Sequence, residues 1–500
     1  MRHLSKSKLL AFRQCPKRLW LEVHRPELNK PSESVQGHFD EGHRVGDIAR
    51  RLYDPRGKGQ LIEPKTEGYA SAIARTKALL ASTQPIFEAT FAADGALALA
   101  DVMLPTRQSG QRAWRMVEVK SSASVKGYHR DDAAIQAYVA RNAGVPLASL
   151  ALACIDSKWV YPGGGDYQGL LVEEDLTKEA FARASEVKAW IAEAQAIAAK
   201  RKEPKLGTGD HCNDPFECGF VGYCQGQEPQ AEYPVRWLPR IQSKVLKSHI
   251  QDGGVLDMRE VPDERLGAQQ RRVKQHTLSG TTFFDKRGAA ADLAAHKLPA
   301  YFLDFETIRF TVPIWKDTRP YQQIPFQFSV HRLARTGKVA HESFLDLSGN
   351  DPTRALAEHL IAACGDRGPV FVYNATFEKS RIQELADRFT RLKPSLLAIN
   401  ARVVDLLKVA QKRYYHPSQQ GSWSIKKVLP TIAPDLRYDA LEGVQHGGMA
   451  MQAFLQAIAP TTSDAEKAGI EQALLKYCAL DTYAMVRLWQ FFAGRADLTL

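Results

Sequence analysis

Four of the seven cysteines constrain this 500-residue chain more than any other feature. Cys212, Cys218 and Cys224 stand at C-x5-C-x5-C spacing in His-Cys-Asn-Asp-Pro-Phe-Glu-Cys-Gly-Phe-Val-Gly-Tyr-Cys. Cys15 lies far upstream, in Arg-Gln-Cys-Pro-Lys-Arg-Leu-Trp. Seven cysteines are too few for a disulfide scaffold of this length. The basic N-terminus, MRHLSKSKLLAFRQCPKRLW, lacks the long apolar core of an export signal. A cytoplasmic protein is therefore expected, with cysteines that are metal ligands or buried thiols. Four thiolates can hold a [4Fe–4S] cluster or one zinc ion. Cys154, Cys364 and Cys478 lie in apolar or helical stretches and are expected to be core thiols.

The length predicts two or three domains. With 44% apolar and 25% charged residues, each can bury a core. No stretch approaches the roughly 18–20 apolar residues of a membrane span, so no membrane association is expected. The net charge of +11 suits a polyanionic partner such as nucleic acid. Three regions follow from the pattern. Residues 1–226 hold the four cysteines and a strand-rich centre. Residues 227–296 read as a helical connector, with helical periodicity over Ser243–His249 and Glu264–Lys274. From 297 to 500 a new α/β pattern begins.

Two groups of carboxylates carry chemistry. In the first region, Pro85–Ala93 and Ala96–Leu104 read as a strand hairpin holding Asp101, followed by a strand Trp114–Lys120. Side chains alternate in a strand, so Glu118 and Lys120 share a face. Asp101 and Glu118 can hold Mg²⁺ or Mn²⁺, with substrate phosphate completing the shell, and Lys120 can orient a water or neutralise charge. A helix over Asp131–Tyr138 follows, with acidic residues in its first turn, and Gln136 and Tyr138 are expected to reach toward the site.

In the last region, Asp304 and Glu306 fall on one face of the hydrophobic strand Tyr301–Glu306. Two like charges near a core are costly unless cations compensate them. Two divalent metals about 3.5–4 Å apart are the usual answer in phosphodiester hydrolysis. Strands are expected over Pro325–Leu333, His341–Leu347 and Gly368–Asn374. The last runs into Asn-Ala-Thr-Phe-Glu378 and a helix Lys379–Arg388. Tyr477 and Asp481 are i and i+4 on a late helix and share a face. Asp405 either supports the site or caps a helix. The segments Tyr414–Pro417 and Gly421–Lys427 mix aromatics, hydroxyls and cations, which suits stacking on single-stranded nucleic acid.

The order Asp101, Glu118-x-Lys120, then a helix with Gln136 and Tyr138 resembles the PD-(D/E)XK nucleases of the RecB-like group. With Cys15, Cys212, Cys218 and Cys224 the resemblance narrows to the iron–sulfur members, including CRISPR-associated ones. It implies a restriction-endonuclease-like module clamped end to end by a cluster. Such a clamp closes a loop of nearly the whole module. The chain departs from that group at Gly46, where a metal-binding His is usual. His43 is near in sequence but points elsewhere on a helix, which leaves Glu88 or Glu41 as substitutes. The later motifs resemble the DEDD exonucleases with Tyr-x-x-x-Asp, on an RNase H-like fold. That resemblance implies Asp304, Glu306, Glu378 and Asp481 as metal ligands and Tyr477 as the residue that positions the attacking water. Glu378 stands where the family has an Asp, one methylene shorter.

Taken over essentially the full chain, the layout resembles a bacterial family of RecB-like nucleases. A metal-dependent nuclease of DNA single strands or ends is the expected function, in repair or defence, with 3′ ends as the point of attack of the second module. DNA is favoured over RNA as partner. The alternatives are a nucleic-acid-binding scaffold with one or both sites inactive and an RNA-processing 3′–5′ exonuclease.

Overall fold

Residues 86–120 are rich in apolar, strand-forming residues, and the chain there turns back on itself twice, at Asp94–Gly95 and Ser109–Gly110. A computed structural model of the protein describes residues 3–30, 33–241 and 244–496. It divides into two units. The first comprises Met1–Glu228 and Phe310–Gln322; the second comprises Pro229–Arg309 and Gln323–Leu500. Both are mixed α/β. Among the described residues, no helix is long and apolar enough to cross a membrane.

In the first unit, strands Ile86–Ala93, Ala96–Gln108 and Gln111–Lys120 form an antiparallel meander. Leu147–Ile155 joins Gln111–Lys120 in parallel, and Leu171–Asp175 closes that edge. Short strands Gln60–Leu61 and Leu4–Ser5 pair with the meander. The helix Gly127–Asn142 is the crossover between the two parallel strands and buries Ala133, Ala134, Ile135, Ala137, Val139 and Ala140 in the core. It begins at Gly127, four residues before the expected start. Asp131 and Asp132 therefore lie in its second turn and not its first.

In the second unit, five strands run in the order Val339–Leu345, Gln323–Leu333, Ala300–Arg309, Val370–Val372, Val403–Asp405. The first two pairings are antiparallel and the last two parallel. Strand alternation sorts the central strand Ala300–Arg309 into two faces. Tyr301, Leu303 and Phe305 share a core cluster with Leu356 and Leu360 of helix Thr353–Cys364 and Ile382 and Leu385 of helix Ala375–Arg388. Phe302 points to the other face, near Phe371 and Trp489. Asp304 and Glu306 share that second face, which meets the 30-residue helix Asp464–Ala493. A capping box starts this helix: the Ser463 hydroxyl accepts from the Glu466 N–H, and the Glu466 carboxylate accepts from Ser463. Gly494, at φ 67°, ends it in the left-handed conformation.

Residues 229–296, read from sequence as a connector, pack within the second unit. One of their expected helices is seen over Lys244–Gly253, with Ser243 outside the described residues. The other begins only at Ala268, because Gly267 is extended and separates a short turn, Asp263–Arg265, from helix Ala268–Ser279.

Candidate active sites and a cysteine frame

Cys15 occupies a junction between two helices. Its N–H donates to Ala11 O at 2.9 Å, ending helix Lys6–Gln14. Its sulfur accepts from the Arg18 N–H at 3.4 Å, capping helix Pro16–His24. Pro16 is the first residue of that second helix, where its missing N–H costs nothing, which accounts for the Cys-Pro pair. Cys212, Cys218 and Cys224 come to the same place. All four cysteines line one small cavity of about 10 Å³, together with Lys17, Arg18 and His211. The cysteines are unbridged. Burial pushes the thiols of Cys15, Cys218 and Cys224 up, and neighbouring cysteines add to the shift. Gln14 ties the first helix to this segment by donating to His211 O and Phe216 O, each at 2.7 Å. Cys154 and Cys364 are buried core thiols, as expected. Cys478 is buried too, but against an acidic cluster described below.

On the first sheet, Asp101 and Glu118 sit on neighbouring strands, and the Val119 N–H donates to Asp101 Oδ2 at 2.7 Å. Glu118 is only 1% exposed. Its Oε1 accepts from Lys120 Nζ and from Lys6 Nζ, each at 2.6 Å. Lys120 also donates to Asp132, and Lys6 stands 3.6 Å from the other Asp132 oxygen. Gln136, one turn along the same helix, donates to Asp132 Oδ1 at 3.4 Å. Two buried oxygens, Glu118 Oε2 and Gln136 Oε1, have no hydrogen-bond partner. Burial, then repulsion from Glu118, pushes the carboxyls of Asp101 and Glu88 up. Burial alone would lower Lys120, but Asp132 and Glu118 outweigh it and raise it.

Sequence reading found Asp101, Glu118, Lys120 and Gln136 here and missed Lys6 and Asp132. Asp132 was legible in principle, being four residues before Gln136 on one helical face. Lys6 carries no local signal, since it reaches Glu118 across 112 positions. Tyr138 does not reach the site: its hydroxyl donates to Asp94 Oδ2 at 2.6 Å. Residues i and i+2 of a helix point about 200° apart, so Gln136 and Tyr138 cannot serve one face. Of the substitutes for the missing His, Glu88 borders the cluster, opposite Asp101 and at a strained φ of 56°. His43 is exposed.

In the second unit, Asp304 and Glu306 meet Cys478, with ligand atoms of all three within 4.8 Å of one another. Helix Asp464–Ala493 brings Tyr477 and Asp481 to them, both nearly buried. Asp481 Oδ1 accepts from the Tyr438 hydroxyl at 2.5 Å. Burial, then the neighbouring Asp481, pushes the Tyr477 phenol up. Next to Asp481, the Thr482 hydroxyl bonds Ser329 at 2.7 Å and His331 at 2.8 Å, which fixes the helix on the sheet. Glu378 sits in the first turn of helix Ala375–Arg388, 3% exposed, with no partner for its Oε2. Burial raises Glu306 to about 8, and Asp481 adds to it. Burial also raises Glu378 to about 8, with Asp405 adding. Asp304 is pushed well up by burial and by Asp481, Glu306 and Glu378. Asp481 rises only to about 6, because Tyr438 and Lys426 oppose its burial.

The expected residues Asp304, Glu306, Glu378, Tyr477 and Asp481 thus come together, and Tyr438 and Lys426 join them. The Lys426 ammonium lies 5.1 Å and 5.2 Å from the ring centres of Tyr438 and Tyr477 and donates to Gln445 O at 2.6 Å. Asp405 caps helix Leu406–Arg413 by accepting from the Leu407 N–H at 3.0 Å. The aromatics expected to stack on nucleic acid are packed inside instead. Tyr414, Tyr415 and Trp423 are buried, and Trp423 donates to Tyr414 O at 2.8 Å. Their large apolar faces are better satisfied by each other and by Phe284 than by solvent.

The two sites therefore define a mixed α/β protein with one acidic cluster on each of its two main sheets. Residues 301–424 match DUF2779, a family described as a domain of unknown function. The chain is also similar to the uncharacterized protein MG366 of Mycoplasma genitalium, 26% identical over 215 residues. That alignment covers 39% of this chain and 32% of the relative, so the chain spans about a third of the relative's length. The DUF2779 match includes Asp304, Glu306 and Glu378 and stops before Tyr477 and Asp481.

Proposed function

We propose that the protein is a metal-dependent nuclease, with an exonuclease-type site in the second unit and a RecB-like site in the first. One observation carries the reading: Asp304 and Glu306 from one strand and Glu378 and Asp481 from two helices converge about Asp304 in one buried place, with Tyr477 beside them. Burial first, and for Asp304 and Glu306 repulsion from neighbouring carboxylates as well, raises these carboxyls well above their usual range. Divalent cations remove that conflict, and carboxylate oxygens are the ligands Mg²⁺ and Mn²⁺ prefer. The strand order supports an RNase H-like unit carrying this site.

Asp304, Glu306, Glu378 and Asp481 would hold the cations. Bound there, these supply Lewis acidity and ionise water near neutral pH. The Tyr477 hydroxyl, beside Asp481, would direct a water in line with the scissile phosphate. Lys426 would place positive charge beside the same phosphate, and the buried Tyr438 would hold Asp481 in one rotamer. In the first unit, the unpaired Glu118 Oε2 and the Asp101 carboxylate fit a further divalent cation. Lys120 would orient the attacking water there.

Four convergent thiols suit a [4Fe–4S] cluster, with one zinc ion as the alternative. A cluster there would fasten Cys15 to the segment 212–224 and close the unit.

A second reading, a nucleic-acid-binding scaffold whose first site is silent, is favoured by one feature: two lysines already saturate Glu118 Oε1. The test is cleavage of end-labelled single- and double-stranded DNA and RNA with Mg²⁺ or Mn²⁺ and with EDTA. Metal-dependent shortening from 3′ ends of DNA is expected. Tight binding without cleavage under every condition would replace this reading with the scaffold.

A further inference from the structure

The first-unit site holds two lysines where a Glu-x-Lys strand supplies one. Lys6 comes from outside the sheet, from the first turn of helix Lys6–Gln14. Its ammonium takes the same Glu118 oxygen as Lys120, at the same 2.6 Å, and lies 3.6 Å from Asp132. Its side chain keeps 21% of its surface exposed, whereas Glu118 and Asp132 keep 1% and 3%. The ammonium is thus held by buried carboxylates, at the end of a side chain that keeps about a fifth of its surface in solvent. The two lysines face Glu118 Oε1 and Asp132, which leaves Glu118 Oε2 and the Asp101 carboxylate for a divalent cation. A cation set this way, beside a metal-type carboxylate pair, is arranged to meet a phosphate oxygen.

The far end of the same helix explains how Lys6 is kept there. The helix is nine residues long, about 13 Å at 1.5 Å per residue. Arg13 donates to Asp131 Oδ2 at 3.1 Å, on the helix that carries Asp132. Gln14 is clamped on His211 O and Phe216 O. The helix therefore has one end at the cysteine segment and the other at the carboxylates.

We propose that Lys6 contacts a backbone phosphate of single-stranded nucleic acid at the first-unit site, and that helix Lys6–Gln14, anchored through Gln14, sets its position. This rests on the nuclease reading of that site. The test uses the full-length chain carrying Asp304→Ala, without divalent ions, and measures binding of a fluorescent single-stranded DNA oligonucleotide against salt. Each phosphate contact contributes about 0.7 to the slope of log affinity on log salt for a single strand. Lys6→Ala is expected to lower the slope by about that amount and weaken binding about tenfold at low salt. Lys6→Arg, which keeps the charge, is expected to retain the slope. Gln14→Ala, which leaves every charge in place, is expected to weaken binding by several-fold. An unchanged slope in Lys6→Ala, or an Arg variant as weak as the Ala variant, would overturn the phosphate contact. Gln14→Ala binding like its parent would overturn the anchoring. If the parent itself binds no oligonucleotide, the nuclease reading fails and Lys6 with it, an outcome distinct from a parent that binds with the slope of Lys6→Ala.

Discussion

Glu306 and Glu378 show what a buried carboxylate requires. Each is raised to about 8, against an unfolded value near 4.3. A raised carboxyl means that the folded state holds its proton more tightly. Ionisation then costs folding free energy from about pH 4.5 upward, with the full cost present above about pH 8. EDTA-treated protein should therefore melt progressively lower between about pH 5 and pH 8, by several degrees in total. Mn²⁺ at pH 8 should restore most of that loss. A melting curve series checks both, and a flat profile would contradict the buried cluster. At Tyr477, replacement by Phe removes only the hydroxyl. Turnover by the second site should fall by about 10²-fold with Mn²⁺ affinity kept, as measured by single-turnover cleavage and metal titration. Asp304, Glu306 and Asp481 were legible because each pair falls on one face by simple periodicity. Tyr438 was not, for it reaches Asp481 across 43 positions from a short turn with no pattern of its own.

Elements were easier to read than their ends. The strand Ala300–Arg309 and the late helix follow from hydrophobic period and capping, which are local. Helix Gly127–Asn142 was placed by its Asp pair, yet it starts a full turn earlier, where His129 accepts from the Lys126 N–H at 3.1 Å and is buried. The segment Tyr414–Trp423 misled for another reason. Its composition suits stacking on bases, but tertiary packing against Phe284 and Thr277 claims the same faces. Gly421 explains why that segment is fixed. It sits at φ 75°, and a Cβ there would lie 1.5 Å from Trp237 O, a backbone atom that cannot move aside. Gly421→Ala should destabilise the second unit by well over about 1 kcal/mol. Urea unfolding followed by tryptophan fluorescence measures it, and a midpoint equal to the parent's would contradict the close approach.

At the scale of the whole molecule, the sequence separates an early α/β region ending at 226 from a late one starting at 297, while the first unit runs to Glu228 and takes in Phe310–Gln322. The sequence did not separate the connector correctly, because polar helices that pack on one unit look the same as exposed ones. Nor did it foresee that Phe310–Gln322 belongs to the first unit, since only tertiary contacts such as Tyr321 to Ser121 O at 2.6 Å assign it there. The cysteine frame is the longest-range prediction that the fold bears on, bringing position 15 to positions 212–224. Protein purified without oxygen should be brown with broad visible absorbance, and Cys15→Ser should lose that colour; a colourless protein carrying zinc would contradict the cluster. The most direct test of the central claim is cleavage of end-labelled single-stranded DNA by the full chain with Mn²⁺. Wild type would be compared with Lys120→Ala, with Asp304→Ala and with both together. The account predicts partial loss in each single variant and complete loss in the double. Undiminished cleavage in the double variant would contradict it.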